Sequence, residues 1–147
     1  MKRIARSAIV EHPASVLYAL VARIEAYPEF LPWCRAARVR ERSAARTVAT
    51  LAVGLKGVRY EFTTENATLP QEAIEMKLLE GPFRHFAARW RFHALGARAA
   101  RIEFAMEYEF SSRVVAAALA PVFHAIADTM VDAFKRRADQ VHGTPAR

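Results

Sequence analysis

The sequence predicts an α+β domain in which a curved, seven-stranded antiparallel sheet wraps around a long C-terminal helix. Three patterns carry that prediction. Between Cys34 and Phe110, apolar and polar residues alternate in six successive segments, the period of half-buried antiparallel strands. From Arg113 to Val141 the apolar period becomes that of a helix face. Ahead of both, Lys2 to Val10 supplies a seventh β-compatible segment. The 147 residues suffice for one domain, expected over residues 1–143, with a frayed tail at 144–147 past the helix-stopping Gly143 and Pro145.

The first strand runs into His12-Pro13, where proline suits a first helical position. Val16, Leu17, Leu20, Ile24 and Tyr27 then recur at three- and four-residue steps, predicting a helix packed on the sheet. Pro28 and Pro32 interrupt it, leaving at most a short second helix within a loop of large apolar side chains. Alternation begins at Val39 and continues through Thr47, Ala49, Leu51, Val53 and Leu55, with Gly54 and Gly57 bracketing a turn. It resumes at Tyr60, Phe62 and Thr64, then at Ile74, Met76 and Leu78. Beyond Gly81-Pro82 it runs through Phe86, Ala88, Trp90 and Phe92, and beyond Gly96 through Ile102, Phe104, Met106, Tyr108 and Phe110. Consecutive strands tend to pair, so a meander is expected. In the last helix Val115, Leu119, Val122, Phe123, Ile126, Met130, Phe134 and Val141 trace the apolar stripe, and Pro121 predicts a kink or a break near its start.

Composition narrows the partners. The 53% apolar and 25% charged residues are those of an ordinary folded domain, and the longest apolar stretch, Val114 to Ala127, is shorter than the roughly 20 residues a membrane span needs. Cys34 is the only cysteine, so no intrachain disulfide forms, and no signal peptide precedes the first strand. The cytoplasm is the expected compartment. A net charge of +7 draws polyanions, but the arginines are scattered with no block beyond Lys135-Arg136-Arg137, and codon usage also yields Arg- and Ala-rich chains. No DNA partner is expected.

The inward-facing residues define the candidate site. The sheet contributes Leu51, Val53, Tyr60, Phe62, Thr64, Met76, Leu78, Phe86, Trp90, Phe104, Met106 and Tyr108, and the helix contributes Phe123, Ile126, Met130 and Phe134. Either they fill a core or they line an apolar cavity, and a measured cavity separates the two. The polar members Tyr60, Thr64, Asn66 and Tyr108 can bond a carbonyl or hydroxyl, yet none is a strong acid or base at neutral pH. General acid–base catalysis is therefore not expected. Cys34 reads as a structural thiol in an apolar loop, the five histidines show no metal-ligand spacing, and the dispersed glycines form no phosphate loop. Neither a catalytic residue nor a metal is predicted.

Several segments resemble the coenzyme Q-binding START-domain family, of helix-grip fold, nearly end to end. They are Tyr27-Pro28-Glu29-Phe30-Leu31-Pro32-Trp33-Cys34, Glu80-Gly81-Pro82-Phe83-Arg84, Trp90-Arg91-Phe92, Arg101-Ile102-Glu103-Phe104, Tyr108-Glu109-Phe110 and Met130-Val131-Asp132-Ala133-Phe134. The resemblance implies an apolar cavity holding ubiquinone or a related isoprenoid lipid as a bound ligand, with no cofactor required, in a carrier that supports respiration. A quinone headgroup would then sit near Tyr60, Thr64 or Tyr108, and its tail along the helix and the loop of Phe30 and Trp33. The family's bacterial branch includes the ribosome association toxin, which implies a second reading: a regulator that binds the ribosome and blocks subunit association. Its contact surface would be the outer sheet face with Arg38, Arg40, Arg59, Arg89, Arg91 and Arg101, although interleaved glutamates could instead pair with them. An aromatic polyketide cyclase is the third reading. The carrier reading also places the protein peripherally at the inner membrane face.

Overall fold

A computed structural model describes residues 1–143, so the expected frayed tail lies outside the described residues. The element order is β1 (Lys2–Val10), α1 (Ala14–Ala22), a 3₁₀ helix (Ile24–Glu29), β2 (Cys34–Arg42), β3 (Arg46–Val53), β4 (Tyr60–Leu69), β5 (Ala73–Glu80), β6 (Phe83–Gly96), β7 (Ala99–Phe110) and α2 (Arg113–His142). All strand pairings are antiparallel, in the order β1-β7-β6-β5-β4-β3-β2. Strands β2 to β7 form the predicted meander. The chain carries β1 to the far edge beside β7, and α1 with the 3₁₀ helix makes the crossing to β2. Register shifts in β2, β5 and β6 interrupt the ladder and bend those strands.

Register determines which side chains meet. Phe86 faces Tyr108, Ala88 faces Met106, Trp90 faces Phe104 and Phe92 faces Ile102 across β6 and β7, so the large apolar residues share one face. Against it lies α2, whose Leu119, Val122, Phe123, Ile126, Met130, Phe134 and Ala138 are buried. By length and composition α2 could cross a membrane, but this apolar stripe is packed on the sheet. Ser112 caps the helix by accepting a hydrogen bond from the Val115 N–H at 3.2 Å. Pro121 does not break α2, which runs continuously through it. Pro121 and Ala117, whose carbonyl loses its helical donor, are both exposed, so water can satisfy the freed group.

The first helix also ends sooner than its periodicity predicts. It stops at Ala22, and Ile24 and Tyr27 are buried from the 3₁₀ helix instead, with Pro28 inside that tighter turn. Its buried stripe is Leu17 and Val21 rather than Val16 and Leu20, which are only half-buried. Gly81 closes the β5–β6 turn at φ +154, where a Cβ would lie 2.5 Å from the Phe62 Cβ. Only glycine lets that turn press against the core.

Candidate functional site

Most of the predicted inward residues do converge. Val53, Phe62, Thr64, Phe86, Trp90, Phe104, Tyr108, Phe123, Ile126, Met130 and Phe134 are buried together, as is Trp33. Leu51, Tyr60, Met76, Leu78 and Phe30 pack against them half-buried. Aromatic contacts fill the space between sheet and helix: Trp90 lies 4.9 Å from Phe104 and 5.2 Å from Phe134, and Tyr108 lies 4.9 Å from Phe123. Phe62 meets Phe86 at 5.3 Å, and Phe30 meets Phe134 at 5.1 Å, with the Arg137 guanidinium 5.0 Å from the Phe30 ring centroid. On this side a void of only about 10 Å³ lies beneath α1 and the 3₁₀ helix, between Tyr27, Thr47, Asn66, Ile74 and Met76. An apolar ligand would have to displace packed side chains.

The side chains of the inner face offer hydrogen bonding. Thr64 donates to Asn66 Oδ1 at 2.8 Å, and the Tyr27 hydroxyl donates to the Val21 carbonyl. Burial raises the phenols of Tyr27 and Tyr108, keeping both protonated. Burial likewise pushes the Cys34 thiol up to about 11, and its hydrogen points at the Ala36 carbonyl 3.6 Å away. Such a thiol is no nucleophile at neutral pH. The Trp33 indole N–H is buried without a partner. Among the described residues no group of three His, Cys, Asp or Glu is placed to hold a metal.

The opposite face of the sheet is open. Two grooves of about 540 and 350 Å³ adjoin at Ala5, Arg89 and Ala105, across β1, β7, β6 and β5. Alanines at outward positions, Ala5, Ala87 and Ala105, form the floor. Six basic residues line the two grooves, Arg3, Arg6, Lys77, Arg89, Arg91 and Arg101, against the acidic Glu75, Glu103 and Glu107. Two of these acids are engaged: Glu107 by Arg3 at 3.4 Å and His85 at 3.0 Å, Glu103 by His93 and by Arg101 at 3.7 Å. The His93 hydrogen bond, aided by Arg101 and Arg91, holds the Glu103 carboxyl below its usual range.

Ion pairing, which here runs along a strand and not across strands, accounts for only part of the predicted arginine set. Arg59 reaches Glu61 at 4.0 Å, Arg101 reaches Glu103, and the Arg40 Nε donates to Thr50 Oγ1 at 2.8 Å. Arg38, Arg89 and Arg91 have no carboxylate within 4.0 Å among the described residues. Sequence reasoning missed Arg3, Arg6 and Lys77 as groove residues and the alanine floor altogether. The floor's signal was the run of small residues on the outward parity of β1, β6 and β7. It also missed the buried His12, whose Nε2 lies 2.7 Å from Asp139 Oδ1 and ties the β1–α1 loop to the end of α2.

Comparison with known proteins agrees with this architecture. The chain is 42% identical over 140 residues to the ribosome association toxin RatA of Pseudomonas aeruginosa, covering 95% of this chain and 97% of that one. Identity to RatA of Escherichia coli is 36% over 142 residues, covering 97% and 90%. A mitochondrial coenzyme Q-binding protein homolog B of Xenopus laevis is 28% identical over 131 residues, covering 86% of this chain and 54% of that one. Among solved structures, an 18 kDa protein from Caulobacter crescentus has a TM-score of 0.75 at 32% identity, covering 98% and 100%. The Zhui aromatase/cyclase from a Streptomyces species has a TM-score of 0.82 at 17% identity, covering 95% and 94%, a likeness of fold alone. The family model for polyketide cyclase / dehydrase and lipid transport proteins matches residues 10–135. With its sheet, helix and most of its length accounted for, the chain belongs to the polyketide cyclase / dehydrase and lipid transport family.

Proposed function

We propose that this protein is a non-enzymatic regulator that associates with the ribosome through the outer face of its sheet. The observation carrying this reading is the pair Arg89 and Arg91, with no carboxylate within 4.0 Å among the described residues, lining the two adjoining grooves. Guanidinium groups that face Glu75 and Glu103 across the strands without closing an ion pair stay available to phosphate, which they bind in bidentate fashion. The relatives named ribosome association toxin, similar over nearly their whole length, support the same partner. The order of the two readings from sequence is thereby reversed, because the inner face is packed and the outer face is open. The protein works in the cytoplasm.

Cosedimentation with ribosomes at increasing salt tests the proposal. Bound protein should fall steeply as salt rises, since each neutralised phosphate releases counterions, with a slope of roughly −0.7 to −0.9 per contact in log–log form. Binding unaffected by salt, or no binding at low salt, refutes it.

The second reading is a carrier of an apolar molecule, ubiquinone or a related isoprenoid lipid, working at the inner membrane face. It is supported by the relative named as coenzyme Q-binding and by the polar niche between Thr47 and Asn66 inside the apolar core. Each buried tail methylene would contribute about 0.8 kcal/mol. Identifying lipid extracted from the purified protein tests this reading, and a protein free of quinone and lipid contradicts it. A cyclase finds less support, because no titratable group on the inner face is tuned for proton transfer at neutral pH.

A further inference from the structure

We propose that the void beneath the 3₁₀ helix is a seat for one neutral acceptor oxygen of an apolar ligand, with Asn66 and Thr47 as its hydrogen-bond donors. The inference rests on the carrier reading and supplies its polar anchor. Thr47 of β3 and Asn66 of β4 are direct cross-strand partners on the inner face, 6% and 3% exposed. The Asn66 carbonyl oxygen is engaged by Thr64 at 2.8 Å. Its amide nitrogen has no acceptor among the described residues, and neither does the Thr47 hydroxyl. Both side chains line the same void of about 10 Å³, which is room for about one oxygen-sized group.

The surroundings define the ligand's chemistry. The remaining walls include Val21, Ile24, Ile74 and Met76, and the two other hydroxyls there are committed, that of Tyr27 to the Val21 carbonyl and that of Thr68 to the Ala44 carbonyl. Donors in apolar walls call for an acceptor, and an ionised one would lose its hydration without a cation to replace it. Arg42, the cross-strand partner of Thr47, cannot serve: it is held at the rim by two hydrogen bonds to Glu25, at 2.9 and 3.0 Å, and one to the Ala22 carbonyl at 3.3 Å. A ketone or hydroxyl oxygen fits, whereas a carboxylate or phosphate does not. The attached apolar body would lie where Ile24 and Met76 now meet, and the flexible thioether of Met76 gives way most easily.

Equilibrium binding of ubiquinone-1 to the full chain tests the seat, comparing the parent with Thr47→Val and Asn66→Leu. Thr47→Val keeps the shape and removes only the hydroxyl. Each variant should bind about three- to tenfold more weakly, the loss of one hydrogen bond, while Thr47→Val melts no lower than the parent. Unchanged affinity in Thr47→Val and in a folded Asn66→Leu overturns the seat and leaves the carrier reading standing. No binding by the parent itself overturns both. If Asn66→Leu does not melt cooperatively, Thr47→Val alone decides.

Discussion

Replacing Ala88 with phenylalanine asks directly whether the space between sheet and helix is filled. Ala88 is 6% exposed on the inner face, flanked across the strands by Met76 and Met106. A phenyl group needs on the order of three water volumes, whereas the void beside Met76 has room for about one water. The ring must therefore push packed side chains off their rotamers, which costs roughly 1–3 kcal/mol or more. For a chain of this size that lowers the melting temperature by about 3–12 °C. Thermal unfolding followed by circular dichroism measures the shift. A variant as stable as the parent, or more so, would show vacant interior space and refute the packed-core reasoning. Running the parent with and without a short-chain ubiquinone adds a second arm, since a ligand that binds only the native state raises its melting temperature.

Two further outcomes follow from local electrostatics. The buried Cys34 thiol, pushed up to about 11, should resist alkylation in the native protein at pH 8 and react readily in denaturant; fast native labelling would contradict its burial. The hydrogen bond from Arg42 holds the Glu25 carboxyl below its ordinary value. A carboxyl lowered by folding stabilises the folded state above its unfolded value, and that stability is lost as pH falls through the lowered folded value. Arg42→Ala should therefore narrow the stability gap to the parent as pH is taken from 6 to 3, and a gap constant over that range would refute the link.

Much of the fold was legible because β6, β7 and α2 have unbroken periods: Trp90, Phe104, Phe123 and Phe134 occupy the shared core that alternation and the helical stripe predict. Strand β3 was harder to read. Val48, Thr50 and Ala52 point outward by parity yet are buried, and Thr50 bonds both Arg40 and, at 2.7 Å, Thr63. Long side chains lying over a strand leave no mark in its alternation. The end of α1 was misread because a 3₁₀ turn carries Ile24 and Tyr27 to the core at nearly helical spacing. As for the site, periodicity located the inner residues but could not tell a core from a cavity, which depends on side-chain volumes across elements. Nor could it tell which outer arginines lack partners, since Glu103 and Glu107 are taken up by His93, His85 and Arg3 through strand register.

The ribosome reading stands or falls on Arg89 and Arg91. Reversing both to glutamate alters exposed positions of β6 and leaves the buried Trp90 between them in place, so the variant should fold, melting slightly below the parent because the new carboxylates face Glu75 and Glu103 across the strands. Its cosedimentation with ribosomes at low salt should be abolished, because two phosphate contacts become two repulsions. A folded Arg89→Glu, Arg91→Glu protein that cosediments as the parent does, with the same dependence on salt, would contradict the account.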